Sequence, residues 1–177
     1  MKPERYKQPR PPLDAEALER LALFYVGRYA TTGAKLRSYL VRKVRERGWE
    51  GSPPDVETIV GRFKALGYID DAAFASARAA SLQRRGYGER RVSQALHEAG
   101  IGDEDAADAN EQAREGALKA ALRFAERKRI GPFAAEEPDR EGRQKAFAAM
   151  MRAGHSMDVV RRVLNTSPGE IPESDNL

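Results

Sequence analysis

Five glycines, each followed by a large side chain, mark points where helices are expected to end. A glycine just past a helix adopts the left-handed backbone conformation without a Cβ clash, and the bulky residue after it folds back onto the last turn. The recurrence of this signal along 177 residues indicates short helices joined by tight turns. The pairs are Gly48-Trp49, Gly67-Tyr68, Gly86-Tyr87, Gly100-Ile101 and Gly154-His155.

Three of these glycines are evenly spaced. Gly48 and Gly100 are 52 residues apart, and Gly100 and Gly154 are 54 apart. The basic helix expected before each glycine carries an apolar pair at a similar spacing. Such a period is typical of tandem helical units that stack to share a core. The pairs are Leu36/Leu40, Val92/Leu96 and Ala146/Met150.

Composition favours helices throughout. The chain has 28 alanines against 18 valines, isoleucines and threonines together, and these β-branched residues do not alternate as in strands. We therefore predict an all-α fold, a tandem array of three three-helix modules forming an elongated, curved molecule. The predicted modules are 14–68, 70–115 and 116–165, flanked by an unstructured segment at 1–13 and an acidic one at 166–177.

Several classes of protein are excluded by what the chain lacks. It has no cysteine and only two histidines, a composition that argues against a metal site built from these residues. No apolar run approaches the ~18 residues that span a bilayer, and the first twelve residues are basic and proline-rich, without the apolar region of a signal peptide. We therefore expect a cytoplasmic protein without a metal or cofactor.

Catalytic motifs are matched only superficially. Gly27 to Lys35 resembles a phosphate loop but has the wrong spacing and no preceding strand, so we interpret it as a turn between helices. His97-Glu98 lacks the second histidine of a zinc-binding helix. The pair Asp70-Asp71 is best explained as the head of a helix, where an acid opposes the positive dipole end. We predict that the protein is not an enzyme.

Charge is distributed unevenly. The net charge of +4 conceals +7 over residues 1–102 and −3 over residues 103–177. Clustered lysines and arginines bind phosphates without reading bases, although a solvated helix face is the alternative. Tyr39 and Tyr87 lie among these charges, where they either stack on bases or pack. A third basic segment contains Lys119, Arg123, Arg127, Lys128 and Arg129. The predicted polyanion contacts are Lys35, Arg37, Arg42, Lys43, Arg84, Arg85, Arg90 and Arg91.

A distinctive segment runs from Leu66-Gly67-Tyr68-Ile69-Asp70-Asp71 to Phe74-Ala75, and with it residues 18–102 resemble the RecX family. The likeness continues through Arg84-Arg85 and Arg90-Arg91-Val92, includes Leu36, Arg37, Leu40 and Lys43 in the preceding helix, and thins beyond residue 102. Thr31-Thr32-Gly33 departs from the family, which often has a Ser/Arg-rich turn there. The motif residues are Leu66, Gly67, Tyr68, Ile69, Asp70, Asp71, Phe74, Ala75, Gly86, Gly100 and Ile101.

The resemblance implies tandem three-helix units without a catalytic centre. RecX proteins are bacterial regulators that bind the RecA filament on single-stranded DNA and suppress ATP hydrolysis, strand exchange and LexA cleavage. By this resemblance we expect a monomer that acts in recombination, DNA repair and the SOS response. Its expected partners are the RecA filament and single- or double-stranded DNA.

Two other functions remain open. A stand-alone helix-turn-helix DNA-binding protein would need base-reading side chains on a recognition helix, and the candidate helices carry mostly lysine and arginine. In a protein-only scaffold, the basic faces would instead meet acidic partners. Under all three hypotheses we assign Leu66, Ile69, Phe74 and Leu96 to the core, where truncation to alanine costs ~2–5 kcal/mol.

Overall fold

The fold is all-α, as predicted. The structure, a computed structural model, describes residues 11–52 and 54–170. Within those residues the regular structure is helical apart from one isolated bridge between Leu13 and Trp49. The elements are α1 (Ala15–Arg28), α2 (Gly33–Arg47), α3 (Val56–Ala65), α4 (Asp71–Arg84), α5 (Glu89–Glu98), α6 (Asp103–Glu115), α7 (Ala117–Lys128), a 3₁₀ turn (Gly131–Phe133), α8 (Arg140–Arg152) and α9 (Met157–Leu164).

All five predicted stop glycines have a positive φ, between 71° and 89°, but Gly48, with ψ at 172°, lies outside the left-handed helical region. After four of them the next residue donates its N–H to the carbonyl five residues back, which is the bond that closes a Schellman turn. The glycine pattern therefore predicts these helix ends correctly. The four bonds join Tyr68 to Phe63, Tyr87 to Leu82, Ile101 to Leu96 and His155 to Met150.

The segment that resembled a phosphate loop is a turn between α1 and α2, as interpreted. Asp14 caps α1 by accepting from the Ala17 N–H at 2.7 Å. Thr32 caps α2 by accepting from the Lys35 N–H at 3.2 Å. A side-chain oxygen at this position satisfies a backbone donor that lacks a helical partner.

The described residues form two compact units, which divide between Asp70 and Asp71. Unit 1 contains α1 to α3, packed around a core that includes Leu18, Leu36 and Leu40. Leu13 also belongs to this core: it is fully buried and exchanges hydrogen bonds with Gly48 and Glu50. This differs from the expectation of an unstructured segment through residue 13, because the β-bridge covers its backbone. Residues 1–10 lie outside the described residues.

Unit 2 contains α4 to α9. One cluster of buried side chains fills α4 to α6 and another fills α7 to α9, and Tyr87 packs against both. The division into three modules stays a prediction, since the second and third helix triplets form one compact unit. Gly169 donates to the Pro132 carbonyl at 2.9 Å, so order extends past residue 165, while residues 171–177 lie outside the described residues.

The four predicted core residues differ in how deeply they are buried. Ile69 and Leu96 are buried, and Phe74 is half-buried against the α4–α6 core. The prediction for Leu66 is wrong, because its side chain is 63% exposed. Helix α3 ends at Ala65, and the turn at Gly67 brings Ile69 into the core instead.

Candidate nucleic-acid and partner interface

The eight predicted basic contacts fall on two surfaces in different units. The α2 surface is Lys35, Arg37, Arg42 and Lys43 in unit 1. The α4–α5 surface is Arg84, Arg85, Arg90 and Arg91 in unit 2. All of these residues are exposed except Lys43, which is half-buried.

Carboxylates accompany most of the α2 surface. The Arg37 guanidinium pairs with Glu57, at the start of α3, and its hydrogen bond lowers the pKa of that carboxyl. Lys43 lies 2.6 Å and Arg42 3.7 Å from Glu46 oxygens. The Lys43 hydrogen bond lowers the pKa of Glu46, so this acid stays charged. A polyanion would compete with these carboxylates for the cations.

Aromatic rings underlie the same surface. The Arg42 guanidinium and the Lys43 ammonium each lie 5.8 Å from the centroid of the Tyr39 ring. Tyr39 stacks on Tyr25 at 4.3 Å between centroids, with 17° between the ring planes. Cations at this distance are attracted to the ring face.

Sequence reasoning missed two tyrosines beside this surface: Tyr25 of α1, which contacts Tyr39, and Tyr29, the residue that follows α1. The backbone of Tyr29 is extended, and its ring centroid lies 5.3 Å from that of Tyr25. The Arg28 guanidinium lies 5.9 Å from the Tyr29 centroid. The four-residue spacing of these two tyrosines is visible in the sequence, but no local pattern shows that Tyr25 contacts Tyr39 of α2.

The α4–α5 surface is carried on a turn with a tightly fixed backbone. The Gly88 N–H donates to the Ala153 carbonyl at 3.0 Å, and the Arg90 N–H donates to the Gly154 carbonyl at 3.1 Å. These bonds join the α4–α5 turn to the α8–α9 turn within unit 2. The arginines of this surface therefore project from backbone that is held on two sides.

Two glycines allow the α4–α5 turn and the α8–α9 turn to lie this close together. A Cβ built on Gly88 would lie 2.4 Å from the Gly154 carbonyl carbon, and one built on Gly154 would lie 2.5 Å from the Arg91 nitrogen. The sequence assigned Gly154 only a helix stop and Gly88 no role. We name this the Gly88–Gly154 contact; its members are 66 positions apart, and no local pattern reveals it.

His155 is buried beside this contact. Only 1% of it is exposed, and its ring meets the Phe124 ring edge-on at 5.6 Å. Burial lowers the pKa of His155 to about 4, an effect that outweighs the opposing hydrogen bond with the Gly86 carbonyl. The neutral ring therefore donates from Nε2 to Gly86 at 3.1 Å, and Nδ1 has no partner.

The side chains of the α4–α5 surface have few internal partners. The Arg85 guanidinium lies 5.3 Å from the Tyr87 centroid, and Arg91 donates to Gln94 at 3.1 Å. Arg127 of α7 joins the surface by donating to the Arg85 carbonyl oxygen. In the described part of the chain, no carboxylate lies within ion-pair distance of these five arginines, namely Arg84, Arg85, Arg90, Arg91 and Arg127.

The motif residues act mainly in the architecture. Gly67 and Gly100 form helix-ending turns, and Ala75 and Ile101 are buried in the α4–α6 core. Asp71 is the first residue of α4 and is itself buried, in keeping with its expected place at a helix head.

Within residues 11–52 and 54–170, no helix has both the length and the apolar character to cross a bilayer. The same residues contain no group of three His, Asp or Glu side chains placed to hold a metal ion.

Comparison with known proteins confirms the resemblance. Residues 70–109 match the family described as RecX, second three-helix domain. The regulatory protein RecX of Myxococcus xanthus is 33% identical over 162 residues, which cover 85% of this chain and 86% of that protein. The regulatory protein RecX of Agrobacterium fabrum is 30% identical over 148 residues, covering 81% and 79% of the two chains.

Solved structures support the fold. The crystal structure of RecX from Lactobacillus salivarius superposes with a TM-score of 0.69 at 17% identity, covering 84% of this chain and 93% of that one. A second crystal structure of a regulatory protein RecX gives 0.64 at 22% identity, covering 84% and 72%. With sequence identity of 33% over most of both chains and a shared helical fold, this chain belongs to the RecX family of regulatory proteins.

Proposed function

We propose that this protein is a cytoplasmic, monomeric regulator that binds the RecA filament on single-stranded DNA. It mainly inhibits the ATPase, strand exchange and co-protease activities of RecA, in recombination and the SOS response. Membership of the RecX family supports this function. The observation that carries it is the α4–α5 surface, where exposed arginines with no carboxylate partner in residues 11–52 and 54–170 project from a fixed turn.

This surface suits the sugar–phosphate backbone of DNA. Arginine guanidinium groups form charge-assisted hydrogen bonds with phosphate oxygens, which position a protein without reading sequence. Because the turn is already held by the Gly88–Gly154 contact, less conformational entropy is lost on binding. Inhibition then requires binding alone, because a regulator bound along the filament opposes the conformational changes of RecA that accompany ATP hydrolysis.

The test measures ATP hydrolysis by the cognate RecA on single-stranded DNA. We expect several-fold excess of the regulator to suppress it. The double variant Arg84→Gln/Arg90→Gln should require at least ~100-fold more protein, since hydrogen bonds to charged groups contribute ~1.5–3 kcal/mol each and ~1.4 kcal/mol is a factor of ten. The matched control is Arg114→Gln/Lys145→Gln, which removes two exposed cations of unit 2 that already have carboxylate partners. This control should inhibit like the native protein.

An unchanged ATPase at several-fold excess would contradict the proposal. Pull-down of RecA with and without single-stranded DNA separates the alternatives. Retention on DNA without any effect on RecA would favour a stand-alone DNA-binding protein. Retention on RecA alone, with no contribution from DNA, would favour a protein-only scaffold.

A further inference from the structure

Unit 1 exposes an aromatic surface within a group of cations. We name Tyr25, Tyr29 and Tyr39 the tyrosine cluster. Tyr25 lies between the other two rings, stacked on Tyr39 and tilted by 52° against Tyr29. Tyr25 and Tyr39 are half-buried against the unit 1 core, whereas Tyr29 is 50% exposed. The cluster therefore presents one accessible ring that is supported from behind by two others.

The cations around this ring differ in their availability. The Arg28 guanidinium lies 5.9 Å from the Tyr29 centroid, and within the described residues no carboxylate forms an ion pair with it. Arg42 and Lys43, over Tyr39, share the single carboxylate of Glu46. Three cations and one acid leave a net charge of +2 around the tyrosine cluster.

We propose that the tyrosine cluster is a stacking site for a base of single-stranded nucleic acid, with Tyr29 as the contacting ring and Arg28 bound to an adjacent phosphate. This inference rests on the proposed DNA-binding function and names the surface that selects single strands. Base–aromatic stacking tolerates any sequence because every base has a π face. A site of this kind therefore suits a regulator that acts wherever a filament forms.

The combination of ring and cations favours a single strand over other partners. In a duplex the base faces are already stacked on one another, so an exposed tyrosine gains little from it. An acidic peptide would neutralise Arg28, Arg42 and Lys43 but would leave the half-exposed Tyr29 ring without a matching flat surface. An unpaired nucleotide supplies both a phosphate and a planar face.

The experiment measures binding of the full chain to a labelled oligothymidylate and to a hairpin duplex, across a range of salt concentrations. We expect Tyr29→Leu to weaken oligothymidylate binding by about 5- to 100-fold, because stacking contributes ~1–3 kcal/mol per base. The slope of log affinity against log salt should not change, since no phosphate contact is lost. Duplex binding should change by less than about twofold.

Three variants make the test specific. Tyr29→Phe keeps the ring and should bind as the native protein does. Arg28→Gln should flatten the salt slope for single strands by ~0.7, the value for one phosphate contact. Tyr68→Leu is the matched control, because Tyr68 is 53% exposed in the same unit but packs near Phe63, outside the tyrosine cluster. Circular dichroism of each variant confirms that it folds.

The inference is overturned if Tyr29→Leu weakens duplex and single strand equally, if it weakens neither, or if the native chain does not bind oligothymidylate. It is also overturned if Tyr29→Leu impairs action on RecA while free single-strand binding is intact, since the surface would then bind protein. The proposed function fails separately, by an unchanged RecA ATPase.

Discussion

The two basic surfaces have four predicted cations each, but they differ in what surrounds those cations. On the α2 surface, Arg37 pairs with Glu57, while Arg42 and Lys43 share Glu46. On the α4–α5 surface the arginines have no carboxylate partner among the described residues, and the backbone beneath them is held by the Gly88–Gly154 contact. Equal numbers of basic residues in a sequence therefore need not give equal capacity to bind a polyanion.

The difference has a physical origin in where the charges lie. A long basic helix such as α2 has neighbouring turns and a partner helix from which acids can reach its cations. The arginines of the α4–α5 surface surround a short turn, whose hydrogen-bonding groups are engaged by the α8–α9 turn instead. The substitutions and pH changes below alter either the cations of one surface or the packing beneath the α4–α5 surface.

The largest effect is expected from Gly88→Ala. The added Cβ would lie 2.4 Å from the Gly154 carbonyl carbon and oxygen, so the two turns must separate. We expect a loss of more than about 3 kcal/mol in the free energy of unfolding of unit 2, at the upper end of overpacking effects. Urea unfolding followed by circular dichroism measures it, while fluorescence of Trp49, the single tryptophan, follows unit 1.

Gly61→Ala is the control for this substitution. Gly61 is within α3 of unit 1, and beyond its own helix backbone and chain neighbours no atom of the described residues lies within 4 Å of the position its Cβ would take. Alanine there should stabilise the helix by up to ~1 kcal/mol. If Gly88→Ala were equally tolerated, the turn beneath the α4–α5 surface would not be rigid, and the comparison would fail.

A smaller effect is expected from acidification. The pKa of His155 is lowered from 6.5 to about 4, so between these values the unfolded chain binds the proton that the folded chain excludes. The stability conferred by the neutral ring is therefore complete above pH 6.5 and is lost as the pH falls toward 4, by up to about 3 kcal/mol. The measurement is the free energy of unfolding from pH 7 to pH 4.

His155→Leu should remove this contribution, so that its stability falls less steeply with acid than that of the native chain. Parallel curves for the native chain and His155→Leu would show that the buried ring does not exclude a proton.

The smallest effect, and the most direct test of the comparison, concerns the salt dependence of duplex binding. Arg84→Gln/Arg90→Gln should flatten the slope of log affinity against log salt by nearly 2, since each phosphate contact contributes ~0.9. Arg37→Gln/Arg42→Gln should flatten it by less than about 1, because these two cations already have carboxylate partners. Equal flattening by both pairs would mean that the internal ion pairs open at no cost.

Local patterns in the sequence predicted the helix ends well. The conformation of a stop glycine depends on a few neighbouring residues. All five predicted helix ends are correct, and four of the five glycines form the predicted turn. The burial of Leu96 followed from its four-residue spacing to Val92 on α5, whereas Ile69 is brought into the core by the turn at Gly67. The predicted burial of Leu66 was wrong because the turn at Gly67 changes the direction of the chain there, and the Leu66 side chain stays exposed.

The candidate site required contacts between distant segments. Arg127 reaches the Arg85 carbonyl across 42 positions, and Tyr25 stacks on Tyr39 across a turn between helices. The α2 cations were named from the sequence, but their pairing was not, because Glu57 belongs to another helix. All eight basic residues are exposed or half-buried, and their contact with a polyanion stays a prediction, because their availability depends on tertiary packing.

The Gly88–Gly154 contact also restricts how this sequence can drift. In most cores, a substitution to a larger side chain can be compensated by a substitution to a smaller one beside it. Here neither residue can be replaced by a smaller one, since both are glycine and the groups that would collide are backbone atoms. A change at either position therefore has no single compensating substitution at the other. Substitutions that accumulate in unit 2 during evolution are expected at other positions, while both glycines stay unchanged.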